Sequence, residues 1–217
     1  MGELEIIAGL KEAVINGEVE EAGEWAQKAL DVKLDPAKAI EEGLLEGIKV
    51  VGEAFGKGET FLPDLVLAAE ALKAGSAVLQ EEIEKRGAKI KYAGKLLIGT
   101  VRGDIHDIGK SLVSTMFRAA GFDVVDLGTD VPADRFVEEV RTSSPHILGL
   151  SALLSAGAVE QQKVIEALKA ADLRDRVKVM VGGGAISADW AEQIGADGYA
   201  VDAAEAVLVG RQILGME

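Results

Sequence analysis

The residues best suited to chemistry are 103–111, Gly-Asp-Ile-His-Asp-Ile-Gly-Lys-Ser, which follow a short apolar run and precede an apolar-periodic one. That setting predicts a strand-to-helix loop carrying a histidine. A neutral imidazole is a good ligand for a transition metal, and a ligating ring usually donates its other N–H to a carboxylate or carbonyl. Asp104, two residues before His106, is the local partner for that N–H. Gly109, at the start of the following helix, keeps a side chain out of the path of any flat ligand resting on the loop. The plainer alternative is a capped turn with a solvated histidine. A phosphate loop ending in Gly-Lys-Ser is a decoy, because Gly103 and Gly109 are one residue too far apart for that motif. Asp104 and Asp107 would also repel a nucleotide, and Asp126 as a magnesium-binding acid adds only a strand signal common to any parallel sheet.

Such a loop must be held by a sheet, and the sequence from residue 92 onward predicts one. Residues 95–101 form a continuous apolar run of the kind found in a strand buried on both faces. Further strands are expected at 122–127, 147–151, 177–181 and 198–201, separated by helices at 107–120, 133–140, 158–171, 188–194 and 205–214. Alternation of this kind requires a parallel sheet with right-handed crossovers. Ligands of such sheets bind at the carboxyl ends of the strands. Three informative stretches fall on that edge: residues 104–109, Ser151 to Ser155, and the glycines at 182–184. His146 falls at the opposite edge.

Before the sheet comes a helical region, expected over residues 1–88. Apolar residues keep to one face at 4–15, a second helix follows from 19 to about 34, and Asp35-Pro36 is a strong start signal for a third. That third helix places Ile40, Leu44, Ile48, Val51 and Phe55 on a stripe. The fourth opens at Leu62-Pro63-Asp64 and repeats Leu65, Ala69, Leu72, Ser76, Leu79 and Ile83, a pattern suited to antiparallel bundle packing. Its small residues, Gly75 among them, admit either a neighbouring helix or a flat ligand. The expected architecture is therefore α/β, an N-terminal four-helix bundle followed by a flavodoxin-like, Rossmann-like five-stranded parallel sheet over 92–217.

Composition narrows the function. A hydrophobic content of 48% over 217 residues suffices for packed cores, while aromatics make up only 4% and glycines number 26. There is no cysteine, which removes both disulfides and thiolate metal sites. A net charge of −14 argues against nucleic-acid and anionic-membrane partners, both of which need a cationic footprint. The first apolar residues are interrupted by Glu3, Glu5, Lys11 and Glu12 and do not read as a secretory signal, so a cytoplasmic protein is expected.

Taken together, Asp104-Ile-His106-Asp107-Ile108-Gly109, Ser151-Ala-Leu153 and Gly182-Gly183 resemble the Asp-x-His-x-x-Gly, Ser-x-Leu and Gly-Gly signature of cobalamin-binding domains. The preceding bundle, with Gly58-Glu-Thr-Phe-Leu-Pro63 opening its last helix, is similar to the cap module of methionine synthase and of the stand-alone corrinoid proteins of methanogens and acetogens. The resemblance implies a cobalamin or related corrinoid, methylated on cobalt, with His106 as the metal ligand and Asp104 sharing its ring proton. It implies that Ser151 and Ser155 line a slot for the displaced nucleotide tail, that Gly182 and Gly183 leave room for it, and that Phe61 and Leu65 cover the upper face. A serine that completes a relay with the Asp and His in methionine synthase is replaced here by Gly157, which leaves Asp104 to meet water.

The same resemblance implies a non-catalytic carrier subunit. It would accept a methyl group from a substrate-specific methyltransferase and present it to a second one, with tetrahydrofolate or coenzyme M as acceptor, and a reductive activating protein would rescue it. The bundle would have to swing aside about residues 86–92 to expose the cobalt. A cobalamin store, chaperone or sensor is the alternative. An adenosylcobalamin isomerase lacks its substrate barrel here, and a light-sensing repressor lacks its DNA-binding domain and its bundle histidine. The methyl donor is left open among methanol, methylamines, methoxylated aromatics and betaines.

Overall fold

In a computed structural model describing residues 2–86, 90 and 92–216, the chain divides into two compact units. One comprises residues up to 93 together with 118–121, and the other 94–117 and 122–217. Of the expected hinge, Gly87, Lys89 and Lys91 lie outside the described residues.

The first unit is helical: α1 (Glu3–Ile15), α2 (Val19–Asp31), α3 (residues 36–56) and α4 (Leu62–Arg86). α2 stops three residues before its expected end, because Lys33 adopts a left-handed backbone with φ 62°. α3 begins as its sequence dictates: Pro36 occupies the first position and the Asp35 carboxylate accepts the Ala37 N–H at 3.2 Å. Its middle, Ala39–Leu45, is a π-helix between two α segments, which an expectation of uninterrupted α-helix missed. The wider i→i+5 turn keeps residues spaced by four on one face. Ile40, Leu44 and Ile48 are accordingly all buried. Gly75 of α4 shows what its small residues serve, since a β-carbon there would lie 2.9 Å from Leu44 Cδ2 and 3.2 Å from the Ala22 carbonyl. Between the neighbouring helix and the flat ligand, the neighbouring helix claims that glycine.

The second unit is a parallel sheet in the order β2-β1-β3-β4-β5. Its elements are β1 (Lys95–Thr100), α5 (Ile108–Ala119), β2 (Asp123–Asp126), α6 (Ala133–Ser143), β3 (Ile147–Ser151), α7 (Ser155–Ala170), β4 (Lys178–Gly182), α8 (Ala188–Ile194), β5 (Gly198–Tyr199) and α9 (Ala203–Ile213). Right-handed crossovers send α6, α7 and α8 to one face of this sheet and α5 to the other. On the first face Leu97, Leu148 and Val179 pack with Phe136, Ile165 and Leu168 into a continuous core. Strand residues of opposite parity, Leu96, Ile98 and Met180, face α5 and α9 and line a cavity on that side. α7 starts three residues earlier than its periodicity suggests. Gly157 lies in its first turn with room for no side chain, a β-carbon there falling 2.8 Å from Ala152 Cβ. Among the described residues no helix is long and apolar enough to cross a membrane.

Candidate functional site

In the order 2-1-3-4-5 the chain reverses direction across the sheet between β1 and β3, and that switch point is where a crevice opens beyond the carboxyl ends of the strands. The loop after β1 carries Asp104 and His106. The loop after β3 carries Leu153 and Leu154. Asp104, 1% exposed, joins the two. Its Oδ1 accepts the His106 backbone N–H at 3.0 Å and lies 2.6 Å from His106 Nδ1, while Oδ2 accepts the N–H groups of Leu153 at 2.7 Å and Leu154 at 3.1 Å. Burial pushes this carboxyl's pKa up, but the bonds from His106, Leu154 and Leu153 outweigh it and hold the pKa at about 2. An ionised acceptor can only receive a proton from Nδ1. The tautomer is thereby fixed, and Nε2 keeps its lone pair for a ligand.

Gly157 was expected to leave Asp104 facing water. Instead the two backbone N–H groups take that role, and a β-carbon at 157 would stand 3.5 Å from Asp104 Oδ2. Main-chain donors carry no residue signature, so no motif announces these two bonds. His106 itself is tied at three points, its amide and Nδ1 by Asp104 and its carbonyl by the Thr100 hydroxyl at 2.9 Å. His146 is elsewhere, its Nδ1 accepting the Lys95 N–H at 2.9 Å on the amino edge of the sheet.

The next residue is anchored separately. Asp107 Oδ1 lies 2.8 Å from Lys110 Nζ and its Oδ2 accepts from Ser111 Oγ at 2.8 Å; the hydrogen bond from Lys110, with that from Ser111, holds the Asp107 pKa below the usual carboxylate range. Lys110 is buried and also donates to Asp126 at the end of β2, at 2.5 Å to Oδ1. Asp126 in turn accepts the Gly128 N–H at 2.9 Å. A lysine closed between two carboxylates is not free to hold a phosphate, in agreement with rejection of the nucleotide reading.

Beside the loop, a cavity of about 860 Å³ runs between the sheet and helices α5 and α9. That is within the range of ligand pockets, about 300–1,000 Å³. Its walls include the expected His106, Asp107, Ile108, Gly109, Ser151, Leu153, Gly182 and Gly183. They are joined by Leu112, Val113 and Phe117 from α5 and by Ala206 from α9, which make the interior mainly apolar. Around the histidine, Ile105, Ile108, Leu153, Leu154 and Val201 expose apolar side chains to solvent. Exposed Ile, Leu and Val on adjoining loops form a surface for a flat apolar partner. Ser155 is exposed in the first turn of α7 and is not part of the cavity wall. In the helical unit Phe61 is exposed at the head of α4 and Leu65 is fully buried.

Among the described residues no three His, Asp or Glu side chains are grouped to hold a metal ion. His106 thus offers a metal a single imidazole, a donor that suits an ion already held by a macrocycle. A cobalt corrin with an appended nucleotide fits a lone imidazole beside an apolar platform and a deep slot.

Comparison with known proteins agrees. B12 binding domain models match residues 94–208 and, separately, 6–80. The chain is 46% identical over 213 residues to a corrinoid protein of Desulfitobacterium hafniense, covering 98% of this chain and 99% of that one. It is 48% identical over 203 residues to the trimethylamine corrinoid protein of Methanosarcina barkeri, covering 94% of each. Among solved structures, a chain of the methanol:cobalamin methyltransferase complex MtaBC from Methanosarcina barkeri aligns with a TM-score of 0.87 and 31% identity, over 99% of this chain and 82% of that one.

Proposed function

The chain belongs to the corrinoid proteins of methyltransferase systems and binds cobalamin, and from that premise we propose that it carries a methyl group between two methyltransferases and that His106 Nε2 would hold the cobalt. Bound cobalamin supplies a cobalt centre that takes up and gives away a methyl group. The chain's own residues prepare the site for it. Asp104 holds the proton on Nδ1, so that a neutral ring offers Nε2. Ile105, Ile108 and Leu153 present the apolar bed for the ring system, and Gly109 leaves its edge clear. The cavity beneath takes the nucleotide tail, with Ser151 as its polar contact and Gly182 and Gly183 in its wall.

The observation that carries the ligand assignment is the contact of Asp104 Oδ1 with His106 Nδ1, which fixes the tautomer. For the partners, likeness to the methylamine proteins and to the methanol complex supports a substrate-specific methyltransferase on the donor side. Higher identity to the trimethylamine protein favours a methylated amine over methanol as donor. A second methyltransferase, passing the group to coenzyme M or tetrahydrofolate, and a reductive activating protein complete the proposed system, which operates in the cytoplasm.

The test is spectroscopic and then functional. Purified protein loaded with cobalamin should show nitrogen hyperfine coupling from a protein imidazole in its Co(II) spectrum, and His106→Ala should remove it. Coupling that survives His106→Ala defeats the ligand assignment. Loaded protein that passes no methyl group with any methylamine, methanol or betaine methyltransferase defeats the carrier reading and leaves storage.

A further inference from the structure

We infer that Thr100 is a positioning residue for the metal-ligating histidine, fixing how far His106 reaches from the sheet; the inference rests on the proposed ligation by His106. Thr100 is the last residue of β1 and is completely buried. Strand parity puts its side chain on the face of Leu96 and Ile98, directly below the loop that leaves β1. Its hydroxyl donates to the His106 carbonyl at 2.9 Å, six residues further on, and so closes the intervening loop on itself.

That bond does work the other anchors cannot. Asp104 fixes the amide and the ring tautomer of His106, and Lys110 fixes Asp107. Neither holds the peptide between residues 106 and 107. Without the hydroxyl the His106 carbonyl loses its hydrogen bond and the loop can relax about that peptide, shifting the histidine Cα and with it the ring. A metal ligand displaced by a fraction of an ångström loses much of its bond, so ligand strength depends on the supporting shell. Thr100 is itself held, its amide donating to the Gly128 carbonyl at 3.0 Å and its carbonyl accepting from Val131 N–H at 3.0 Å. The hydroxyl is therefore a fixed post belonging to the sheet. Nothing in the sequence marked it, since it closes an apolar run in which threonine reads as one more β-branched residue.

The test compares Thr100→Val, which keeps the shape and removes the donor, with Thr100→Ser, which keeps the donor, in the full chain loaded with cobalamin. In the Val variant the ratio of histidine-off to histidine-on cobalt, read from nitrogen hyperfine coupling in the Co(II) spectrum, should rise roughly three- to tenfold, the value of one neutral hydrogen bond. The Ser variant should restore the wild-type ratio. In the cobalamin-free Val variant the 15N shifts of the His106 ring should still report a protonated Nδ1, because Asp104 is untouched. Should the Val variant fail to fold, Thr100→Ala is read against Ser in the same way. An unchanged ligation ratio in the Val or Ala variant, even with lowered thermal stability, overturns the proposal, as does a Ser variant that behaves like Val. The His106→Ala control stands apart: coupling that persists there defeats the ligand assignment and not the role of Thr100.

Discussion

A β-carbon placed on Gly183 would lie 1.9 Å from the carbonyl oxygen of Ala152, with the glycine at φ 127°. The turn after β4 is thus pressed against the main chain after β3, at a backbone angle that L-residues rarely adopt. Enlarging Gly183 therefore disturbs the fold before it fills any slot: Gly183→Ala should lower the unfolding free energy of the cobalamin-free protein by roughly 1–3 kcal/mol or more. Urea denaturation measures it, and an unchanged midpoint would mean that the two loops separate at little cost.

The slot is better probed at Gly109. A β-carbon there meets nothing within 4 Å, yet the residue lines the cavity. Gly109→Leu should leave the apo-protein as stable as wild type and weaken cobalamin binding more than ~10-fold, a loss of about 1.4 kcal/mol or more. Titration followed by absorbance reads the affinity. Full-strength binding by this variant would place the ligand elsewhere.

Asp104 links the site to pH. Its folded pKa of about 2 lies below the ~3.9 of an unfolded aspartate, so it contributes stability that is complete above the unfolded value and is lost as pH falls through the folded one. Asp107 is shifted in the same direction. Stability of the cobalamin-free protein should therefore decline between about pH 5 and pH 2. Asp104→Asn should be less stable at neutral pH and show a shallower decline in that window. An identical slope in the variant would show that Asp104 carries none of the dependence.

Lys110 should couple strongly to Asp126. Removing the lysine alone leaves the carboxylates of Asp126 and Asp107 without their cation, and because both reach solvent the cost of Lys110→Met should be roughly 1–2 kcal/mol, with the Lys110→Met, Asp126→Asn pair costing less than the sum of the two single changes. A double-mutant cycle by chemical denaturation gives the interaction energy, and additive effects would remove the pair from the loop's support.

How much of this was legible in the sequence follows from the kind of interaction involved. Apolar periodicity located the strands and helices, because burial on one or two faces leaves a repeating mark, as at Leu65, Leu72 and Leu79. The spacing of Asp104 and His106 was readable because two nearby residues of one loop meet whatever the tertiary arrangement. Contacts across the sheet were not. The N–H groups of Leu153 and Leu154 on Asp104, the hydroxyl of Thr100 under His106, and the reach of Lys110 to Asp126 all depend on strand order, which neither period nor motif encodes. The π-helical turn at Ala39–Leu45 escaped for a related reason, since steps of four suit an α-helix nearly as well.

The clamp that Asp104 places on the β3 loop also sets a clock. Leu153 and Leu154 are exposed loop residues, and such amides ordinarily exchange with solvent within seconds or faster, yet theirs are bonded to a buried carboxylate. Their protons can leave only when the two loops part. Deuterium uptake at these two amides therefore measures how often the histidine platform opens, independently of any bound cofactor, and it should be slow in a region whose side chains face water. Exchange there should accelerate in Asp104→Asn far more than at core amides such as those of β3, turning one buried oxygen into a direct gauge of how well the platform stays assembled between rounds of cofactor loading.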